Sequence, residues 1–300
     1  MSSEREFLRA RAAASGITAE HAAAAVEQCT GRPPRTVTQF DGGWGAVPFW
    51  VTAADGAELV ARVAMGERDY VAEAAVIERV RAAGVPAARV VGVARVDGRT
   101  VSVQERVAGE SLQMLLEAHG EGDPRVEELC ADAGRWLARV HAVDPGGLRL
   151  RTPQPVERIV AMVDDLEAVL SASQHKAMAA CATRLDVLRE PAATLVLAHD
   201  DFGSDHVIVA NGRVAAIIDW ENAALDDPAR DVAWWHLYGP VMGGGVDAMR
   251  AGYGPTTEAF DARVRAWTYA ECICGVAHEV REGNPYGIID MIAHTERFLD

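Results

Sequence analysis

Two kinds of apolar patterning divide this chain. Through the first hundred residues, short apolar stretches are broken by Asp-Gly pairs. Asp55-Gly56 sits inside PFWVTAADGAELVARVA (48–64), and Asp97-Gly98 inside VVGVARVDGRTVSVQERV (90–107). Each pair between apolar runs predicts a β-hairpin. Between them, residues 68–83 carry apolar positions at helical spacing and stop at GVP (84–86). An alanine-rich opening (8–29) predicts one or two leading helices, broken near Ser15-Gly16 and ended by the prolines of GRPPR (31–35). After Gly109 the helical period dominates. Residues 111–118, 124–142 and 154–189 read as helix, with Leu129, Ala133, Trp136, Leu137 and Val140 on one face. Short β runs return in 194–220, turning at Asn211-Gly212. Residues 228–300 are mostly helical, interrupted near 239–254 and at Asn284-Pro285.

This order predicts an α+β, bilobal chain. A small β-rich N-lobe with its leading helices spans 1–106, and a larger helical C-lobe spans 107–300. The connection falls near Gln104–Gly109, and a cleft between lobes is where small-molecule sites form.

Composition narrows the function classes. The 300 residues, 49% of them apolar, have room for two lobes with real cores. No apolar run reaches the length of a membrane span, and the opening MSSEREFLRARAAAS has no signal-peptide block, so a cytoplasmic location is expected. The net charge of −15 argues against nucleic acid or an anionic membrane as partner and suits a cationic small molecule, although acidity also serves solubility. No pair of the five cysteines has CxxC spacing, so neither a zinc site nor a disulfide frame is expected.

The densest chemistry is HDDFGSDH (199–206), directly after the apolar run TLVLA (194–198). Asp201 and His206 share this loop, and Asp219 follows eighteen residues after Asp201, past the Asn211-Gly212 turn. The plain reading is that these are turn and cap aspartates. The chemical reading is that the hairpin returns Asp219 to the 201–206 loop, where two carboxylates form a cation site or an acid–base pair.

HDDFGSDHVIV followed by IIDWENA resembles the aminoglycoside-phosphotransferase family, small-molecule kinases with a protein-kinase-like fold, and in particular its hygromycin B kinase and macrolide kinase types. DDPARDVA (226–233), QERVAGESL (104–112), LARVHAVDP (137–145) and EAAVIERVRAAGVPAARVVGV (73–93) extend the resemblance over most of the chain. It implies that Asp201 orients the acceptor hydroxyl, that Asp219 binds Mg²⁺, and that ATP or GTP is the donor. Arg62 would meet the phosphates with Glu73 as its partner. Gly42 and Gly43 in DGGWG (41–45) would cover them, and the backbone from Glu105 to Val107 would bind the purine. Two positions depart from the family pattern. His206 stands where asparagine is usual, and imidazole is a poorer Mg²⁺ ligand than oxygen. Asp200 replaces a glycine, adding charge that attracts a cationic acceptor or faces solvent. Asp205 is a substitute metal or substrate group. Asp226, Asp227 and Glu271 are further candidates for substrate ammonium groups, against a plain reading of Glu271, Glu279 and Glu282 as solvated helix faces. Asp231 reads as an anchor of the catalytic loop, and His199 as a brace.

The expected function is phosphoryl transfer to a hydroxyl of a cationic antibiotic, hygromycin-like aminoglycoside or macrolide, giving resistance. A metabolic kinase for an amino sugar, choline or homoserine uses the same residues, and a nucleotide-binding pseudokinase is the non-catalytic alternative.

Overall fold

In the computed structural model, residues 2–41, 43–152, 154–239 and 243–299 are described. Internal contacts divide the chain into two units, Met1–Ala108 with Ala215–Glu221, and Gly109–Val214 with Asn222–Asp300.

The first unit is built on five antiparallel strands: β1 (Thr36–Gln39), β2 (Ala46–Thr52), β3 (Glu58–Ala64), β4 (Val90–Val96) and β5 (Arg99–Glu105), in the order β1-β2-β3-β5-β4. Asp97 and Gly98 turn with φ of 47° and 81°, the left-handed pair that matches strand twist. Alternation along β3 separates two faces. Leu59, Ala61 and Val63 join Val47, Phe49, Val51, Val101 and Val103 in a core against Ala22, Ala25 and Val26 of helix α2 (Ala19–Thr30), itself preceded by α1 (Ser2–Ala14). Arg62 therefore leaves from the opposite face, in register with Pro48 on β2 and Ser102 on β5. Helix α3 (Tyr70–Ala82) follows β3. The Asp69 carboxylate accepts from Ala72 N at 3.0 Å at its start, so Glu73 falls in its first turn.

The segment Ala215–Glu221 belongs with this unit although it lies far along the chain. Its anchor is Ile217 N, which donates to Pro86 O at 2.8 Å.

The second unit is mainly helical: α4 (Leu112–His119), α5 (Pro124–His141), α6 (Val156–Leu166), α7 (Ala172–Ala182), α8 (Pro228–Tyr238), α9 (Val246–Tyr253), α10 (Glu258–Glu282) and α11 (Pro285–Leu299). The stretch 154–189, expected as one helical run, is two helices and a short 3₁₀ turn. Ser171 and Gln174 form a capping box that starts α7 afresh. Short strands frame the polar loop. β6 (Glu110–Ser111) pairs with β8 (Val207–Ala210), and β7 (Val196–Ala198) with β10 (Ala224–Asp226). The Asn211-Gly212 turn, at φ 53° and 71°, leads into β9 (Arg213–Ile217). No helix among the described residues is long and apolar enough to cross a membrane.

Gly134 lets α5 touch α9. A Cβ at 134 would lie 2.0 Å from the Met249 carbonyl oxygen, a backbone atom with little freedom to retreat. Gly134→Ala gains about 1 kcal/mol of helix propensity, but overpacking of this kind costs about 1–3 kcal/mol. The variant should unfold at lower denaturant, and equal or greater stability would refute the close helix contact.

Candidate active site

In the first unit, Arg62 is the hub. Its Nη1 donates to Glu73 Oε1 at 2.6 Å, and its Nη2 to Asp219 Oδ1 at 2.7 Å and Glu221 Oε2 at 2.6 Å. The Arg62 side chain is 14% exposed and that of Glu73 only 2%. Burial alone would lower the Arg62 pKa; Asp219, Glu73 and Glu221 raise it well above normal. The Glu73 pKa moves up, because burial and the neighbouring Asp219 and Glu221 outweigh the arginine. The Tyr70 ring lies beneath the guanidinium, 5.3 Å from Arg62 Cζ, and burial raises its pKa above the ordinary tyrosine range. Two buried oxygens here, Tyr70 Oη and Glu73 Oε2, lack a hydrogen-bond partner among the described residues.

The DGGWG turn lies before β2. Gly43 has φ 86°, and a Cβ there would fall 2.3 Å from Ala46 O, so glycine is required twice over. Gly42 lies outside the described residues. At Gly45 a Cβ would meet the end of the Arg68 side chain, which can move where the Ala46 carbonyl cannot. The Glu105 amide donates to Arg89 O and the Arg106 amide to Glu58 O, while the Glu105 carboxylate pairs with Arg89 at 2.7 Å; Val107 follows, half-buried.

In the second unit, the 199–206 loop is anchored by one carboxylate. Asp231, in the first turn of α8, accepts from His199 N at 2.8 Å and Asp200 N at 2.7 Å, and bonds His141 Nε2 at 2.9 Å. Burial opposes its charge, but the His141 hydrogen bond, both histidines and the amides prevail, and its pKa falls. The Asp201 carboxylate accepts from Asn222 Nδ2 at 3.1 Å. His206 Nδ1 donates to the Asp201 carbonyl at 2.8 Å, which leaves Nε2 as the nitrogen able to face a metal; it sits 3.5 Å from Asp205 Oδ2.

Asp200 adopts φ 64°, where glycine is easiest, and its side chain is 4% exposed between Arg151 at 3.0 Å and Arg230 at 2.9 Å. It does not face solvent. Arg230 also holds Asp226 at 2.9 Å and Glu271 at 2.6 Å. Asp227 caps α8 through Ala229 N and accepts from Arg263 and Trp267 Nε1. Asp200, Asp226, Asp227 and Glu271, expected to meet a substrate amine, are all buried side chains paired with arginines of the chain, Arg151, Arg230 and Arg263. Glu271 is likewise no solvated helix face.

Sequence reasoning passed over Glu221, Arg68 and Asn222. IDWEN carried a signal for the first, a second carboxylate two residues after Asp219. Nothing local marked Arg68 or the partnership of Asn222 with Asp201.

The model of the phosphotransferase enzyme family (APH) matches residues 36–267. The chain belongs to that family. As a member it is a small-molecule phosphotransferase. Its structure resembles a thermostable mutant of aminoglycoside phosphotransferase APH(4)-Ia in ternary complex with AMP-PNP and hygromycin B, at 19% identity and TM-score 0.74, covering 91% of this chain and 96% of that one. It also resembles spectinomycin phosphotransferase APH(9)-Ia in complex with ADP and spectinomycin, at 13% identity and TM-score 0.72, covering 95% of each chain. A GDP and kanamycin complex of APH(2'')-IIIa is similar at 15% identity and TM-score 0.71, covering 92% of this chain and 97% of that one. The bilobal, kinase-like fold expected of the sequence is thus shown. No curated protein matches the chain.

The phosphotransferase loop depends on Asp231 being charged. Its lowered pKa means that its stabilisation is complete above the unfolded value near pH 4 and is lost as pH falls through the folded value. Asp231→Asn should cost about 3 kcal/mol at pH 7, and the gap from wild type should shrink below about pH 4. Denaturation across pH measures both, and a gap independent of pH would contradict the assignment.

Proposed function

We propose that the chain moves the γ-phosphoryl group of ATP or GTP to a hydroxyl of a cationic antibiotic, foremost an aminoglycoside. The observation that carries this reading is the buried Arg62 held by Glu73 and Asp219, in a family member whose 199–206 loop carries Asp201. The neighbours' complexes with hygromycin B, kanamycin and spectinomycin, each beside a nucleotide, support the acceptor class and the donor. The FGS and NGR wording in 202–213 points to a hygromycin-like acceptor, while His206 points to a macrolide. The acidity of the chain accords with either cation.

In this reading Asp201 accepts a hydrogen bond from the acceptor hydroxyl and takes its proton as the new P–O bond forms. Asn222 Nδ2 holds the Asp201 carboxylate in place from one side. Arg62 neutralises phosphate oxygens, with Glu73 holding it to the sheet face. Gly43 and Gly45 allow backbone amides to approach phosphate. With the Glu105 and Arg106 amides already bonded within the unit, Val107 is left to donate to the purine. The hard carboxylate oxygens of Asp219 and Glu221 fit Mg²⁺, which takes one or two carboxylates along with phosphate oxygens; Asp219 would hold it. Bound there, Mg²⁺ supplies positive charge against the charge that develops on the phosphates. His206 Nε2 is the softer donor, and its ring is better employed holding the Asp201 backbone.

Purified chain should transfer labelled phosphate from ATP or GTP to a member of an antibiotic panel spanning hygromycin B, kanamycin, spectinomycin and macrolides. Asp201→Ala should lower kcat by about 10³-fold with nucleotide affinity unchanged. A sensitive host expressing the wild-type chain should grow on the same antibiotic. Transfer only to an amino sugar, choline or homoserine would replace the antibiotic reading with a metabolic one. Nucleotide binding without transfer to any acceptor would replace it with a pseudokinase.

A further inference from the structure

Glu221 is held from two sides. One oxygen, Oε2, accepts from Arg62 Nη2 at 2.6 Å, and the other, Oε1, lies 3.3 Å from Arg68 Nη1. The carboxylate is 12% exposed. Arg68 also lies close against the glycine-rich turn: a Cβ on Gly45 would fall 2.0 Å from Arg68 Nη2. Two guanidiniums bracketing one anion beside a glycine turn is the arrangement a phosphate group takes, one oxygen to each cation.

Of the three carboxylates on Arg62, Glu221 is the one that also meets the second guanidinium. Glu73 is buried and takes Nη1, and Asp219 is a short side chain on a backbone at φ 64°. Asp219 and Glu221 share Nη2, so two negative charges crowd one nitrogen. Three carboxylates face two guanidiniums in this cluster. Withdrawal of Glu221 relieves that repulsion, and its side chain, one methylene longer than that of Asp219, has more rotamers by which to leave.

We infer that Arg62 and Arg68 form a two-arginine phosphate seat, and that Glu221 is an internal stand-in which a nucleotide phosphate displaces. The inference rests on the reading that the chain binds a nucleoside triphosphate. Arg68 is then a second phosphate-binding residue, and Glu221 a competitor that sets how tightly polyphosphate is held. Displacement of a carboxylate by a phosphate keeps both arginines paired in each state, so the seat is never left as bare buried positive charge.

The test uses the full chain and measures binding calorimetrically with EDTA present, so that metal plays no part. The probes are ATP and inorganic tripolyphosphate, with adenosine as the control. Glu221→Gln, which keeps size and hydrogen bonding, should tighten ATP and tripolyphosphate about threefold to tenfold. Arg68→Gln should weaken both by a similar factor, and neither variant should alter adenosine binding. Arg68 is one-third exposed, so its variant should fold, and a melting curve checks both proteins. If Glu221→Gln weakens or leaves unchanged the metal-free binding, Glu221 is not a stand-in and the inference falls while the kinase reading survives. If Arg68→Gln has no effect, Arg68 lies outside the seat. Wild type that binds MgATP normally but tripolyphosphate at no measurable level also overturns the seat. Wild type that binds no nucleotide with or without Mg²⁺ overturns the kinase reading itself.

Discussion

An arginine cannot shed its charge inside a protein, so burying Arg62 obliges the fold to surround it with carboxylates. Three answer, from separate parts of the chain. Glu73 comes from the first turn of α3, and Asp219 and Glu221 from the segment after β9. This one requirement accounts for much of the first unit. Core alternation along β3 turns residue 62 away from the apolar face, and the Asp69 cap places Glu73 one turn into α3. The bond from Ile217 to Pro86 ties residues 215–221 to the connection between α3 and β4, more than a hundred residues earlier in the chain. If any of the three carboxylates were removed, the others would gain a larger share of the guanidinium; if the guanidinium were removed, three partly buried anions would be left to repel one another.

The second unit solves a related problem with the signs reversed. Asp231 is a buried anion that takes two loop amides and an imidazole as donors, and so fixes the backbone on either side of the 199–200 peptide. Asp200 then sits in a left-handed conformation between two arginines, and Asp201 follows with its carboxylate on Asn222. In both units a charged group that is costly to bury is kept because several partners from distant segments converge on it. Those partners define the local geometry more narrowly than apolar packing alone does.

The sequence announced features with a local cause. Asp-Gly and Asn-Gly pairs turned where the pattern put them, because left-handed φ is cheap for these residues. The helices of 111–142 began at Ser111 and Asp123, both N-caps, close to where periodicity placed them. The 199–206 motif was legible through its resemblance to a family, since composition alone allows turn aspartates. Long-range pairings were not legible. Arg151, Arg230 and Arg68 find their partners 49, 30 and 153 positions away, a distance no spacing rule spans. The plain reading of Glu271 as a solvated helix face fails because periodicity does not reveal how many neighbours a long helix has. That helix packs against α6, α7, α8 and α11, and its polar residue is paired within.

The guanidinium at 62 is proposed to hold the nucleotide phosphates while its carboxylates hold it. The most direct measurement is the affinity for MgATP of Arg62→Lys and Arg62→Met beside wild type, each checked for folding by its melting curve. Lysine keeps the point charge but not the fork, and should bind within about tenfold of wild type. Methionine should lose about a hundredfold or more. Wild-type affinity in a folded Arg62→Met protein would contradict the account.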